Sequence, residues 1–212
     1  RNPMAFETLR HNLIEGERYQ FDWPKWLPRK AISCESLLDN YKDKLESLAG
    51  TIDVMVGGPP CQGFSLAGAR NPADPRNKMA EQYLELVKII RPKFIVIENV
   101  SGFNSKFDET KKTKDDDDIY FTKSYADFIS EKLRKIGYSV SRGKLNCADY
   151  GVPQNRHRYF ILCTQKGSEP NLFESLKSFS PEFMALKGLN KSKPVSVYDA
   201  IADLEQTGKE LI

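Results

Sequence analysis

The 212-residue chain lacks several features that would place it in a class at once. No apolar run approaches the roughly 20 residues that a membrane-spanning helix needs, and the first residues contain no apolar segment typical of a secretory signal. We therefore expect neither a membrane partner nor secretion. Histidine occurs only twice, and 32 basic against 29 acidic side chains leave a net charge of +3. Such a small excess does not by itself indicate a nucleic-acid partner.

Cysteine is also sparse. The four residues Cys34, Cys61, Cys147 and Cys163 lie far apart, and none belongs to a Cys-x-x-Cys pair. This spacing disfavours a disulfide framework and a zinc site, so we expect no metal and a reducing, cytoplasmic compartment. Hydrophobic residues at 40% and charged residues at 29% are typical of a globular protein.

Helical patterns alternate with short apolar strands along most of the chain, which indicates an α/β fold with a mostly parallel sheet. The predicted strands are 31–34, 52–56, 94–97, 138–145 and 159–164. The predicted helices are 2–15, 36–48, 79–90, 122–136 and a short one at 197–205, with loops at 17–29 and 104–118. From about residue 165 onward the alternation of helices and strands weakens, and the short helix is the one element predicted there.

The first chemical motif surrounds Cys61, directly after the predicted strand at 52–56. It reads Gly57-Gly58-Pro59-Pro60-Cys61-Gln62-Gly63-Phe64-Ser65. Two prolines hold such a turn rigidly, and the glycines let a ligand approach closely. A thiol presented in this way is suited to nucleophilic attack as a thiolate. A cysteine considered alone is more commonly a small buried residue of a tight turn.

Two further polar groups stand at strand ends, where ligands bind in open α/β sheets. Glu98 and Asn99 end the strand at 94–97, and a partly desolvated carboxylate there holds a proton more readily and can act as an acid. Gln154-Asn155-Arg156-His157-Arg158 leads into the last strand. Arg156 and Arg158 are two positions apart as the chain enters a strand, so we expect both side chains to lie on one face. There they could bind one anionic or carbonyl-bearing ligand together. Taken singly, a structural carboxylate and a solvated basic strand end remain the alternatives.

Together and in this order, Gly-Gly-Pro-Pro-Cys-Gln-Gly-Phe-Ser, Glu-Asn-Val and Gln-Asn-Arg-His-Arg resemble the cytosine-C5 DNA methyltransferases of bacterial restriction-modification systems, over about residues 1–165. The resemblance implies a Rossmann-like mixed sheet flanked by helices, with S-adenosylmethionine as the cofactor. It implies a partial catalytic domain at 1–165 and the start of a target-recognition region at 166–212. The implied partner is double-stranded DNA, in the nucleoid of the cytoplasm.

The resemblance also assigns roles to individual residues. Cys61 would attack C6 of a cytosine flipped out of the duplex, after which C5 accepts a methyl group, a base removes the C5 proton and the thiolate is expelled. Glu98 would protonate N3 as the thiolate adds. Arg158 would contact the cytosine O2, and Arg156 would help to order the active-site loop.

A second group of residues would bind rather than react. The implied cofactor contacts are Pro60 and Met79. On the substrate side, Gln62 and Ser65 match positions near the flipped base and the DNA backbone, Asn99 matches a residue that holds the cysteine loop, and Arg76 lies in a loop that closes over DNA. Basic residues around the last strands would meet the phosphates: Arg134, Lys135, Arg142, Lys144, Arg156 and Arg158.

Some parts of the family's pattern are not found in these residues. The Phe-x-Gly-x-Gly turn that cradles the methionine end of the cofactor, the acidic residue that binds its ribose and the closing C-terminal segments have no counterpart here. We therefore expect a fragment, or one part of an assembly whose other segments come from the same protein or from a second subunit. Without the strand that carries the turn, an apolar slot in the sheet is expected to stay open.

Three other functions are consistent with the sequence. The same chemistry can act on cytosine in transfer RNA, because one branch of the family carries the same motifs. A catalytically silent DNA-binding subunit would explain the absent glycine-rich turn, although the intact Cys61, Glu98 and arginines argue against it. A thiol enzyme unrelated to nucleic acids would need a histidine near the cysteine, and only His11 and His157 exist.

Overall fold

The computed structural model describes residues 2–18, 20–59, 78–106, 123–167, 171–189 and 193–204. The chain divides into two compact units, Arg1–Ser47 and Leu48–Ile212. Within the described ranges, no helix is both long enough and apolar enough to cross a membrane.

The first unit is helical. Helix α1, Pro3–Leu9, begins at Asn2, whose Oδ1 accepts hydrogen bonds from two backbone amides, and it continues into a π-helical turn, Arg10–Ile14. Helices α2, Cys34–Asn40, and α3, Lys42–Glu46, follow after the predicted loop. The predicted strand at 31–34 is wrong, because the Ser33 hydroxyl accepts a hydrogen bond from the Ser36 amide and starts a helix there. The predicted helix at 36–48 is divided at Tyr41.

The second unit contains a four-stranded sheet in the order β1-β2-β4-β3. The strands are β1 (Val54–Gly57), β2 (Phe94–Val100), β3 (Tyr138–Asn146) and β4 (His157–Gln165). Strands β1 and β2 are parallel, whereas β4 runs antiparallel to both β2 and β3. The mixed sheet is therefore confirmed, and the expectation of a mostly parallel one is wrong. The loop 147–156 between β3 and β4 contains no crossover helix, so the two strands form a hairpin.

One face of the sheet carries the hydrophobic core. Helices α4, Lys78–Ile90, and α5, Tyr125–Lys135, lie in the connections that precede β2 and β3, close to their predicted positions. Helix α5 begins with a reciprocal capping box between Ser124 and Asp127. The fully buried side chains of the core include Val87, Ile95, Ile97, Phe103, Ile129, Leu133, Ile161 and Cys163.

The opposite face of the sheet, here called the open face, is less covered. Register partners lie on the same face, so Val54, Phe94 and Thr164 share it, as do Val56, Val96 and Leu162. Val54, Val56 and Phe94 are 50%, 70% and 40% exposed. Valines of a strand are normally covered, so these exposed side chains leave the β1 end of the open face apolar and accessible in the described residues. The expected slot left by a missing strand stays a prediction.

Helix α6, Leu172–Leu186, was not predicted from the sequence. It begins at Asn171, whose Oδ1 accepts hydrogen bonds from two backbone amides, and it contains Pro181. The ring of Phe173 lies against Gly143 of β3, where a Cβ atom would come within 2.3 Å of it. The short predicted helix is present as α7, Val197–Ile201, followed by a 3₁₀ turn, Ala202–Leu204. The proposed boundary at residue 165 stays a prediction.

Candidate active site

The carboxyl end of β2 meets the first residues of β4, because β4 runs antiparallel to β2. Val100 lies opposite Arg158, so Glu98 and Arg158 are diagonal neighbours on the open face. Arg158 Nε lies 2.8 Å from Glu98 Oε1. The Arg158 side chain is 17% exposed and that of Glu98 is 43% exposed. The structure thus brings together two of the residues that the sequence analysis selected independently.

The surroundings of Glu98 differ from the partly desolvated strand end that the sequence pattern predicted. Its carboxylate is nearly half exposed, and a guanidinium group balances its charge. Arg158 is itself oriented by a second hydrogen bond, from Nη1 to the carbonyl oxygen of His157, at 2.8 Å. The carboxylate is therefore held in place by an ion pair and remains open to a ligand.

Asn99 faces the core side of the same strand and is 4% exposed. Its Nδ2 donates a hydrogen bond to the carbonyl oxygen of Pro59, at 3.0 Å, and its Oδ1 accepts one from the Val100 amide, at 2.9 Å. The amide side chain thereby ties the segment that follows β1 to the end of β2. Cys61 follows Pro59 by two positions in the sequence.

Two glycines bring the end of β1 close to its neighbours. A Cβ atom at Gly57 would lie 2.3 Å from the Tyr83 ring, so only glycine fits between β1 and α4. The Tyr83 hydroxyl donates to the Met55 carbonyl oxygen at 3.2 Å, and burial raises the pKa of this phenol, which stays protonated. At Gly58 a Cβ atom would lie 3.5 Å from Glu98 Oε2. The backbone that leads toward Cys61 thus passes beside the carboxylate.

Arg156 lies immediately before β4 and is exposed. Its amide donates to Asn146 Oδ1 at 3.1 Å, and its carbonyl oxygen accepts from the Cys147 amide at 2.9 Å. The sequence analysis overlooked Asn146, because nothing in the sequence indicates a contact across a ten-residue loop.

The predicted cofactor contacts are only partly within the described residues. Met79 lies in the first turn of α4 and is half-buried. Its partly accessible thioether side chain is suited to line an apolar part of a cofactor pocket. Five predicted site residues lie outside the described ranges: Pro60, Cys61, Gln62, Ser65 and Arg76.

The described cysteines differ in their surroundings. Cys163 is fully buried in the core, and burial raises its pKa to about 12, so the thiolate is not formed near neutral pH. Cys34 begins α2 in the first unit, and Cys147 begins a 3₁₀ turn after β3. Among the described side chains, no group of three or more His, Cys, Asp or Glu residues is arranged to hold a metal ion.

Arg142, predicted as a phosphate contact, is bonded within the fold to two residues of α5. Its Nη2 lies 2.5 Å from Asp127 Oδ1, and its Nη1 donates to Ser130 Oγ at 3.3 Å. Burial alone would raise the pKa of Asp127, but hydrogen bonds from Ser124 and Arg142 and the charge of Arg142 outweigh it and lower this pKa. Arg142 therefore joins β3 to α5. Its assignment to a DNA-binding surface stays a prediction, as does that of Lys144, which is exposed.

The family model of the C-5 cytosine-specific DNA methylases matches residues 29–209. The chain belongs to this family. Among curated relatives, it is 38% identical over 156 residues to Type II methyltransferase M.DdeI of Desulfomicrobium norvegicum, covering 73% of this chain and 34% of that protein. It is 40% identical over 173 residues to Type II methyltransferase M.AquIA of a Picosynechococcus species, covering 78% of this chain and 61% of the relative.

The fold comparison agrees with the family. The Dnmt2 methyltransferase of S. pombe superposes with a TM-score of 0.55 at 21% identity, over 84% of this chain and 46% of that one. This likeness concerns the fold alone. The chain spans about a third of the length of the first relatives, M.DdeI and Type II methyltransferase M.XorII of Xanthomonas oryzae, to which it is 34% identical over 160 residues.

Proposed function

We propose that the protein methylates C5 of a cytosine flipped out of double-stranded DNA, through a covalent bond between Cys61 and C6. The observation that carries this proposal is the Glu98–Arg158 ion pair on the open face, at 2.8 Å. The ion pair lies at the carboxyl end of β2, where the Asn99 side chain is hydrogen-bonded to the Pro59 carbonyl oxygen. Pro59 comes two residues before Cys61. The carboxylate, the guanidinium group and Pro59 thereby lie at one end of the sheet.

The proposed chemistry needs each of these groups. Cytosine is a poor electrophile at C6 until its N3 is protonated or hydrogen-bonded. When the Cys61 thiolate forms a bond to C6, the electron pair of the C5–C6 double bond is drawn toward N3, which receives the proton of Glu98. The resulting enamine is nucleophilic at C5 and would accept a methyl group from a sulfonium donor, whose carbon–sulfur bond breaks as the donor departs as a neutral thioether. A base would then remove the C5 proton, the thiolate would be eliminated from C6, and N3 would return its proton to Glu98, which restores the ring.

Arg158 would have two successive partners. In the described structure it neutralises the Glu98 carboxylate. In the complex it would turn its planar fork from Glu98 to the cytosine O2, since a guanidinium group has five donors and can exchange one oxygen acceptor for another. Glu98, no longer paired with Arg158, would then take up a proton and donate it to the cytosine N3.

The methyl donor would be S-adenosylmethionine, which supplies an electrophilic methyl group. Met79 is the described residue that we assign to its binding, with Pro60 beyond the described ranges. The family and the relatives named Type II methyltransferases support DNA as the substrate. We further propose that the protein acts within a restriction-modification system at the nucleoid, together with other segments of the same protein or a second subunit.

The experiment is intact-mass measurement after incubation with S-adenosylmethionine and duplex DNA that contains 5-fluorocytosine. Fluorine at C5 cannot leave as a proton, so a methylating protein stays attached to the DNA. We expect an adduct in the parent protein and none in Cys61→Ser. Cys34→Ser is the matched control, because it removes a half-buried thiol from the first unit at a helix start where serine is tolerated.

The proposal fails if the adduct persists in Cys61→Ser. It also fails if the parent forms no adduct under conditions in which it binds both DNA and cofactor; a catalytically silent DNA-binding subunit would explain that result. An adduct with a 5-fluorocytosine-containing transfer RNA instead of DNA would replace the substrate class and keep the chemistry.

A further inference from the structure

Asn146 takes no part in the chemistry above, yet its side chain closes the loop that ends at Arg156. It is the last residue of β3 and lies opposite His157, the first residue of β4. Its Oδ1 accepts hydrogen bonds from the Ala148 amide, at 3.3 Å, and from the Arg156 amide, at 3.1 Å. One oxygen atom therefore holds both ends of the loop 147–156.

The backbone of Arg156 is consequently fixed on both sides. Its amide is held by Asn146, and its carbonyl oxygen accepts from the Cys147 amide at 2.9 Å. Strand β4 begins at the next residue, and Arg158 follows with its Nε 2.8 Å from Glu98. Because side chains alternate along a strand, a slip of one residue here would turn Arg158 to the core face.

We propose that Asn146 is a positioning residue, whose acceptor oxygen fixes Arg156 and thereby the register of Arg158 against Glu98. The inference rests on the proposed function, because register matters to catalysis only if Arg158 faces the base. The two loop bonds use Oδ1 as an acceptor. Aspartate retains such an oxygen, whereas alanine removes both bonds.

Asn171 provides a matched control in the same unit. Its Oδ1 also accepts two backbone hydrogen bonds, from Phe173 at 3.2 Å and from Glu174 at 3.3 Å. Asn171→Ala therefore removes the same kind of interaction at the start of α6. A loss of stability common to Asn146→Ala and Asn171→Ala reports general destabilisation, and only a difference between them reports positioning.

The first test is amide hydrogen exchange of the whole protein, which needs no activity. We expect the Arg156 amide to exchange at least about tenfold faster in Asn146→Ala than in the parent, since its acceptor is lost. Asn146→Asp and Asn171→Ala should leave that rate unchanged. Equal exchange at Arg156 in the parent and Asn146→Ala would overturn the inference.

The second test is the single-turnover rate of adduct formation on 5-fluorocytosine DNA. In Asn146→Ala we expect this rate to fall about tenfold to a hundredfold with little change in the DNA dissociation constant, because misplacement of a contacting group costs rate rather than affinity. Asn146→Asp should restore most of it. An active parent with an unaffected Asn146→Ala overturns this inference alone, whereas a parent without any adduct overturns the proposed function and the inference with it.

Discussion

At the scale of single residues, the Glu98 carboxylate is the proposed proton donor of the site. Its exposure of 43% and its bond to Arg158 make it both accessible and oriented. We predict that Glu98→Gln, which keeps the shape but cannot deliver a proton, lowers the single-turnover methylation rate by about a hundredfold or more. The free energy of unfolding should change by less than about 1 kcal/mol, because partly exposed ion pairs contribute little to stability.

Glu131→Gln is the matched control for this prediction. Glu131 also forms an exposed ion pair, with its Oε1 2.6 Å from Lys123 Nζ and side-chain exposures of 41% and 44%. Its substitution should leave the methylation rate unchanged. Methylation rates of Glu98→Gln and Glu131→Gln that fall equally would mean that the Glu98 carboxylate has no chemical role.

The ion pair between Asp127 and Arg142 leads to a prediction about acid stability. The pKa of Asp127 is lowered in the folded protein from the ordinary value of 3.8, so the unfolded chain binds more protons below that value. Its contribution is therefore fully present above about pH 4 and is lost as the pH falls through the lowered pKa. We expect Asp127→Asn to reduce the free energy of unfolding by about 1 kcal/mol at neutral pH, and this difference should shrink in acid.

Urea unfolding of the parent and Asp127→Asn at several pH values measures that difference. Asp149→Asn, at an exposed position in the turn after β3, serves as the comparison. A difference between the parent and Asp127→Asn that stays constant down to the acid transition would show that the ion pair does not titrate as described.

Some residues of the site could be predicted from the sequence, and others could not, for a physical reason. Glu98, Asn99 and Arg158 stand in short motifs beside predicted strands, and the structure places them at one end of the sheet. The acceptor of the Asn99 amide, the Pro59 carbonyl, is a backbone atom of another segment and has no signature in the residue types. Asn146 is likewise defined by the atoms that it contacts rather than by its neighbours in the sequence.

At the scale of the elements, helix α6 supports the loop that precedes β4. Ser180 Oγ donates to the Asp149 carbonyl oxygen at 2.9 Å, and the end of the helix approaches Gly151. Gly151 has a φ of +81°, and a Cβ atom there would come within 2.4 Å of Leu189 Cδ1 and 3.2 Å of Met184 Sδ. The loop therefore depends on a glycine both for its conformation and for close packing.

We predict that Gly151→Ala destabilises the protein by about 2 kcal/mol or more, from strain at positive φ together with overpacking. Gly188→Ala isolates the strain, since Gly188 has a φ of +67° and no atom within 4 Å of its Cβ position; it should cost about 1 kcal/mol. Chemical denaturation of both variants gives the comparison. Equal losses would mean that the packing of α6 against the loop contributes nothing.

The order of the elements was easier to predict than their pairing. The apolar runs at β1, β2 and β4 and the amphipathic repeats of α4 and α5 were found close to their observed bounds. The direction of β4 depends on the loop before it, which contains no crossover helix and therefore produces a hairpin. Helix α6 was overlooked because Pro181 and polar residues interrupt its pattern, and its apolar side chains become meaningful only against β3 and the following turn.

At the scale of the whole molecule, the proposed binding to DNA would depend on which positive charges are free to meet phosphates. Arg142 is engaged by Asp127 and Ser130, whereas Lys144, two positions further along β3, is exposed. We predict that Arg142→Gln leaves the dependence of DNA affinity on salt unchanged and lowers stability. Lys144→Gln should reduce the slope of log K against log salt by about 1.

Fluorescence-anisotropy titrations over a series of salt concentrations measure both slopes. A reduced slope in Arg142→Gln would mean that its pair with Asp127 opens on DNA. An unchanged slope in Lys144→Gln would remove that lysine from the DNA-binding surface.

The antiparallel course of β4 also affects how the site is assembled during folding. Glu98 and Arg158 lie far apart along the chain, and α5, β3 and the loop 147–156 are synthesised between them. Their contact therefore joins residues that are far apart in the sequence. The entropy lost in closing this long loop is compensated only when the hairpin docks onto β2. A polypeptide interrupted before the hairpin would possess the carboxylate and the cysteine without the guanidinium. Competence for catalysis should accordingly arise late in refolding, after most helical structure has formed.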